Sequence, residues 1–235
     1  MPPSCAQAAE ERDKHNRRVM ASIEKRKSTS ECLQELEVTV DTPMVTNPGG
    51  AELLAALQLS NIKVKLAEQP YPNTLTVHRH CATAATDAAT GRLETRTEVK
   101  REPWVLLRWT LEQLSAFVLG LNGQLPQRLA AIVPTVRRLF GPDVQLFLVL
   151  EGLPAMARGP HAPVPPAATG KTLSRARIDA ELVFLELAGG CFVTETDRPA
   201  STNGAIVKIL EAIAEQPYQC GHRAPVEGAA DWTDR

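Results

Sequence analysis

Aromatic side chains are scarce in this sequence, only 4% of 235 residues, and no apolar run approaches the roughly 20 residues that cross a bilayer. A membrane-spanning helix is therefore excluded and a soluble protein is expected. The five cysteines (Cys5, Cys32, Cys81, Cys191, Cys220) are scattered, without a CxxC pair or the spacing of a disulfide framework. No charged-then-apolar leader precedes them, so a reducing compartment, cytosol or nucleus, is predicted. Charge of one sign is also missing: 26 basic side chains face 27 acidic ones, for a formal net charge of -1. No global field draws such a chain to nucleic acid or membrane, and any DNA contact must come from a local patch. What is present is 43% hydrophobic residues, enough for one α/β core and too little for two large ones.

Residues 1–30 read as a basic, disordered arm or a charged helix, in which Arg17, Arg18, Arg26 and Lys27 are the candidate phosphate contacts. The folded domain is predicted over 31–219, with 220–235 as an unpatterned tail. Leu36, Val38 and Val40 predict a strand ending at Asp41, and Thr42 to Gly50 a loop. Leu53, Leu54 and Leu57 then predict a helix to Leu59. Alternation predicts strands around Ile62–Leu66 and Leu75–His78, a loop from Cys81 to Gly91, a charged hairpin arm over Arg92–Glu102, and a strand from Trp104. Helices follow over Thr110–Leu121 and Gln127–Phe140. The apolar run Val144–Leu150 reads as the middle strand of the sheet. A proline-rich loop over Leu153–Thr172, a helix to Ala188, a strand Cys191–Thr196 and a helix Thr202–Gln216 complete a three-layer α/β sandwich around a mixed sheet.

Familiar chemistry is mostly excluded. Gly170-Lys171-Thr172 ends like a phosphate-binding loop, but the required first glycine is Pro165, which has no amide hydrogen. His78, His80 and Cys81 could share a metal only with a second ligand pair, and none appears at suitable spacing. Ser174 and Ser201 have no evident base. Two helices carry more apolar groups than the rest: Ile206, Ile209, Leu210 and Ile213 in the last, and Ile178, Leu182 and Leu185 with Val183, Phe184 and Leu187 in the one before. The excess points to a partner, with Ile178, Leu182, Leu185, Ile206, Ile209, Leu210 and Ile213 as its contacts. A helix set deep in the core is the other reading.

Four stretches carry a family resemblance: Glu31-Cys-Leu-Gln-Glu-Leu-Glu-Val-Thr-Val-Asp41, Glu102-Pro-Trp-Val-Leu-Leu-Arg108, Ser174-Arg-Ala-Arg-Ile-Asp-Ala-Glu-Leu182, and Glu215-Gln-Pro-Tyr218. With them the region from Glu31 to Gln219 resembles the nuclease-like domain of Eme-type subunits, the noncatalytic partners of Mus-type crossover junction endonucleases. The resemblance implies an XPF-type, restriction-nuclease-like fold, a nuclear location and a role in DNA repair and recombination. Active members carry Gly-Asp, then Glu-Arg-Lys, then Asp after three more residues, to hold a divalent metal. Those positions fall here on Leu107, Arg108, Trp109 and Gln113, no Gly-Asp lies between Thr74 and Trp104, and Asp41 stands alone. The resemblance thus implies a degenerate site with no catalytic residue, no metal and no cofactor in this chain, and Mg2+ in a catalytic Mus-type partner. Branched DNA would be met through the complex. The tandem helix-hairpin-helix domain of such subunits has no counterpart after Gln219, the pattern of a fragment or shortened isoform.

Two other readings compete. A small-molecule α/β enzyme would need a glycine-rich turn or a titratable cluster after a strand, and neither appears. An interaction module unrelated to DNA differs from the first reading only in its partner.

Overall fold

The computed structural model describes residues 5–24, 27–120, 125–152 and 173–219. Their order is α1 (Cys5–Glu24), α2 (Thr29–Gln34), β1 (Leu36–Asp41), α3 (Thr42–Thr46), α4 (Gly50–Leu59), β2 (Lys63–Ala67), β3 (Thr74–Thr86), β4 (Leu93–Thr110), α5 (Leu111–Leu119), α6 (Ile132–Phe140), β5 (Gln145–Glu151), α7 (Arg175–Gly189), β6 (Phe192–Thr196) and α8 (Pro199–Gln219). The six strands form one sheet in the order β2-β1-β3-β4-β5-β6. β1 lies antiparallel to β3 and β3 to β4, while β1–β2, β4–β5 and β5–β6 are parallel. The expected α/β class with a mixed central sheet is what the chain adopts.

Two cores sit on the two faces of this sheet. Alternation along β4 sends Val105, Leu107 and Trp109 to a core closed by α5, α6 and α7, and Trp104 and Leu106 to a core closed by α4 and α8. β5 is buried on both faces, which accounts for its unbroken apolar run. It is nevertheless second from the edge, and β3 and β4 occupy the middle.

Local chemistry sets the element ends. Ser28 and Glu31 form a capping box that starts α2. Gly50 fits where α4 begins because a Cβ there would lie 2.2 Å from the Val45 carbonyl oxygen. The segment from Thr42 to Gly50, expected as a loop, holds the short helix α3, with Pro43 in its first turn and Met44 buried. The loop expected from Cys81 to Gly91 is mostly strand. β3 runs on to Thr86 and pairs with β4 from Thr86↔Leu93 to Thr74↔Leu107, so the hairpin arm and the strand after it are one continuous β4.

Of the two readings for 1–30, a disordered arm or a charged helix, residues 5–24 take the second: they form α1, held against the hairpin turn. The Asn16 amide donates to the Gly91 carbonyl at 3.4 Å and accepts from the Leu93 amide at 2.8 Å. His15 Nε2 adds a bond to the Leu93 carbonyl at 2.9 Å.

α8 continues through Pro217, where the sequence predicts a stop. A proline at this point lacks the N–H that would bond the Ile213 carbonyl. Arg79 takes its place: Nη2 donates to the Ile213 carbonyl at 2.6 Å and Nη1 to the Ala214 carbonyl at 2.9 Å. Its Nε donates to Glu102, and Glu35 lies 3.9 Å from Nη1. Glu35 in turn accepts from Lys27 and from the Tyr218 hydroxyl, tying the approach to α2 to the end of α8. No helix among the described residues is long and apolar enough to cross a membrane.

Candidate functional site

The carboxyl ends of β1, β4 and β5 meet beside α3 and the start of α5, where open α/β sheets hold their ligands. A cavity of about 320 Å³ opens there between Asn47, Asn73, Arg108, Glu112, Gln113 and Glu151. Two of the degenerate-site residues expected from the sequence, Arg108 and Gln113, thus line one cavity. The other three do not. Leu107 is fully buried in the α5–α7 core. Trp109, on the same side, tilts against Phe117 with ring centroids 5.2 Å apart.

Asp41 is 2% exposed, and both of its oxygens are occupied. Oδ1 accepts the Gln69 amide at 3.0 Å and Oδ2 the Asn73 amide at 2.7 Å, which closes the connection between β2 and β3. Arg108 Nη2 donates to Glu151 at 2.8 Å and to the Pro48 carbonyl at 3.0 Å. Its Nη1 is buried without a partner among the described residues. Gln113 is a capping residue: its Oε1 accepts the Thr110 amide at 2.8 Å while Thr110 Oγ1 accepts the Gln113 amide at 3.3 Å.

Asp41 does not stand alone as the acid of this region, since Glu112 and Glu151 also border the cavity. The signal for Glu151 was available, because it ends the longest apolar strand and pairs with Thr110 across the parallel register. Among the described residues no group of three His, Cys, Asp or Glu is placed to hold a metal ion. Both Asp41 oxygens accept backbone amide hydrogens and one Glu151 oxygen accepts from the Arg108 guanidinium, while Glu112 is an exposed acid in the first turn of α5.

The residues expected to meet a partner are mainly core. Ile178, Leu182 and Leu185 are at most 5% exposed and pack against the sheet, as do Ile206, Leu210 and Ile213 on the other face, with Ile209 half-buried. Periodicity identifies residues that share a face, but where a helix is apolar on two sides it does not say which side turns inward. In α7 the outward apolar side is Val183, Phe184 and Leu187.

Of the candidate phosphate contacts, Arg17 and Arg18 are exposed on α1, and Arg26 lies outside the described residues. Lys27 is committed to Glu35 and the Tyr218 hydroxyl. Burial disfavours its charge, but these bonds outweigh that and hold its pKa above the ordinary lysine value. His80 pairs with Glu37 at 3.3 Å. Burial, then the charge of Arg101, pushes the His78 pKa below the usual histidine range. Burial pushes the Cys191 thiol up to about 12, which makes it inert. Ser174 caps α7 and Ser201 donates to Asp197. Gly170, Lys171, Thr172 and the tail 220–235 lie outside the described residues.

No family model matches the chain, and no curated protein does. Among solved structures it is similar to XPF from Aeropyrum pernix in complex with DNA, at 14% identity and a TM-score of 0.43, over 77% of this chain and 66% of that one. It is similar to XPF from Aeropyrum pernix in a second structure at 16% identity and a TM-score of 0.42, over 77% of this chain and 65% of that one. In both cases it spans just under two thirds of the other chain.

Proposed function

We propose that this chain is the noncatalytic regulatory subunit of a heterodimeric, structure-selective DNA endonuclease acting on flaps, forks and Holliday junctions in the nucleus. The observation that carries this reading is what stands at the positions that would hold the ion. Metal-dependent phosphodiester hydrolysis needs acidic oxygens there to hold the ion that activates water. Here Leu107 and Trp109 are core, Gln113 caps α5, and both oxygens of Asp41 are taken by the Gln69 and Asn73 amides. Mg2+ and hydrolysis then belong to a catalytic Mus-type partner. The purified chain is expected to leave branched substrates intact with magnesium or manganese. Metal-dependent cleavage without a partner, abolished by Glu151→Gln, would refute the reading.

The partner docks on the outward side of α7. Val183, Phe184 and Leu187 are 51, 44 and 83% exposed. Arg128 lies over the Phe184 ring at 4.7 Å, a cation–π contact at the margin of the patch. Burying each apolar side chain contributes about 1.5–3 kcal/mol. Phe184→Glu with Leu187→Glu is therefore expected to weaken pairing by about a hundredfold or more while the circular dichroism spectrum stays unchanged. Wild-type co-purification of the folded double variant would remove this face from the proposal. Lys14, Arg17 and Arg18, exposed at i, i+3, i+4 spacing on α1, supply sequence-independent phosphate contact within the complex.

A further inference from the structure

We propose that the cavity at the carboxyl ends of β1, β4 and β5 binds a guanine base. Its volume of about 320 Å³ is at the lower end of the roughly 300–1,000 Å³ of small-molecule sites, room for one base and not for a folded segment. The charged residues on its wall are one arginine, Arg108, and two glutamates, Glu112 and Glu151. That balance repels a phosphate and favours a neutral ligand.

The polar groups divide into donors and acceptors. Arg108 is 6% exposed, with its Nη2 bonded to Glu151 and the Pro48 carbonyl and its Nη1 buried without an acceptor among the described residues. The amide oxygens of Asn73 and Gln113 are taken by Asn47 and by the Thr110 amide. Their NH2 groups are therefore the ends left to donate. Against these donors, Glu151 accepts from Arg108 through one oxygen only, and Glu112 begins α5 as an exposed acid. Guanine presents the complementary edge: O6 accepts, while the adjacent N1–H and N2–H2 both donate and suit a carboxylate. Adenine and cytosine offer one exocyclic amine beside ring acceptors, and so leave one carboxylate bond unmade. Met44 and Pro48 supply apolar contact for the ring.

The test titrates the full chain with guanosine, adenosine, cytidine, inorganic phosphate and methylguanidine, followed by calorimetry and ligand-observed NMR. Guanosine is expected to bind saturably and about tenfold or more tighter than the other nucleosides, without competition from phosphate or methylguanidine. Glu112→Gln and Asn73→Gly should each weaken it by about tenfold. Both variants should fold, since Glu112 is exposed and glycine accepts the φ of 59° at position 73. A thymidine oligonucleotide with a single deoxyguanosine distinguishes the sources: if it displaces guanosine, the ligand is an extruded base of a strand, and if it does not, a free nucleoside. Either result keeps the guanine site. The site is overturned if guanosine does not bind at millimolar concentration, if the nucleosides bind equally, if phosphate or methylguanidine competes, or if both variants bind as wild type. No partner is present in this titration, so its failure leaves the pairing proposal standing, and failure to pair leaves this one.

Discussion

Arg79→Ala is expected to destabilise the domain by about 3–5 kcal/mol, the range for removing one partner of a buried ion pair. Arg79 is 3% exposed and serves four groups at once. It pairs with Glu102, lies near Glu35, and bonds the carbonyls of Ile213 and Ala214. Alanine would leave buried charge uncompensated and would also orphan the carbonyl that Pro217 cannot serve. A loss of urea midpoint at unchanged m-value is the readout. Arg79→Lys, which keeps the charge but not the planar fork, should fall between wild type and alanine. An alanine variant within about 0.5 kcal/mol of wild type would show that α8 is held by its apolar face alone.

The second large effect is expected at Asp41. Its carboxylate satisfies the amides of Gln69 and Asn73, and each buried donor left unpaired costs about 1–3 kcal/mol. Asp41→Ala should lose both contributions, whereas Asp41→Asn keeps one accepting oxygen and should lose about half as much. A residue retained for metal chemistry alone would show no such graded loss in thermal unfolding. Because the alanine variant acts on stability, it is a poor probe of hydrolysis, and Glu151→Gln is the better one.

The pattern of apolar residues made most elements legible, and the failures have separate physical causes. β1, α4, β5 and α7 follow their periodicities closely. The hairpin tip from Cys81 to Thr86 is rich in alanine and threonine and has no strong alternation, so its strand character comes from pairing with the charged half of β4, a contact that local sequence does not encode. The end of α8 escaped because Pro217 is tolerated by a residue 138 positions earlier, as the bonds from Arg79 require. At the site, residue identity was enough to single out Arg108 and Gln113, which line one cavity. It did not reveal that Glu112 and Glu151 converge with Arg108, since that depends on the parallel register of β4 and β5.

The bond between Glu35 and Tyr218 joins residues 183 positions apart, and this has a consequence for synthesis. At about 5–20 residues per second, roughly 10 to 40 seconds separate the emergence of β1 from that of the end of α8. Leu36, Val38 and Val40 wait through nearly all of that interval, and Leu53, Leu57, Leu75 and Val77 through less of it, for Ile206, Leu210 and Ile213 to cover them. The opposite layer closes as α7 leaves the ribosome, but this one stays open until α8 has followed. A nascent chain stalled before α8 would therefore display an uncovered apolar sheet face, a natural substrate for a chaperone holding the chain until α8 arrives.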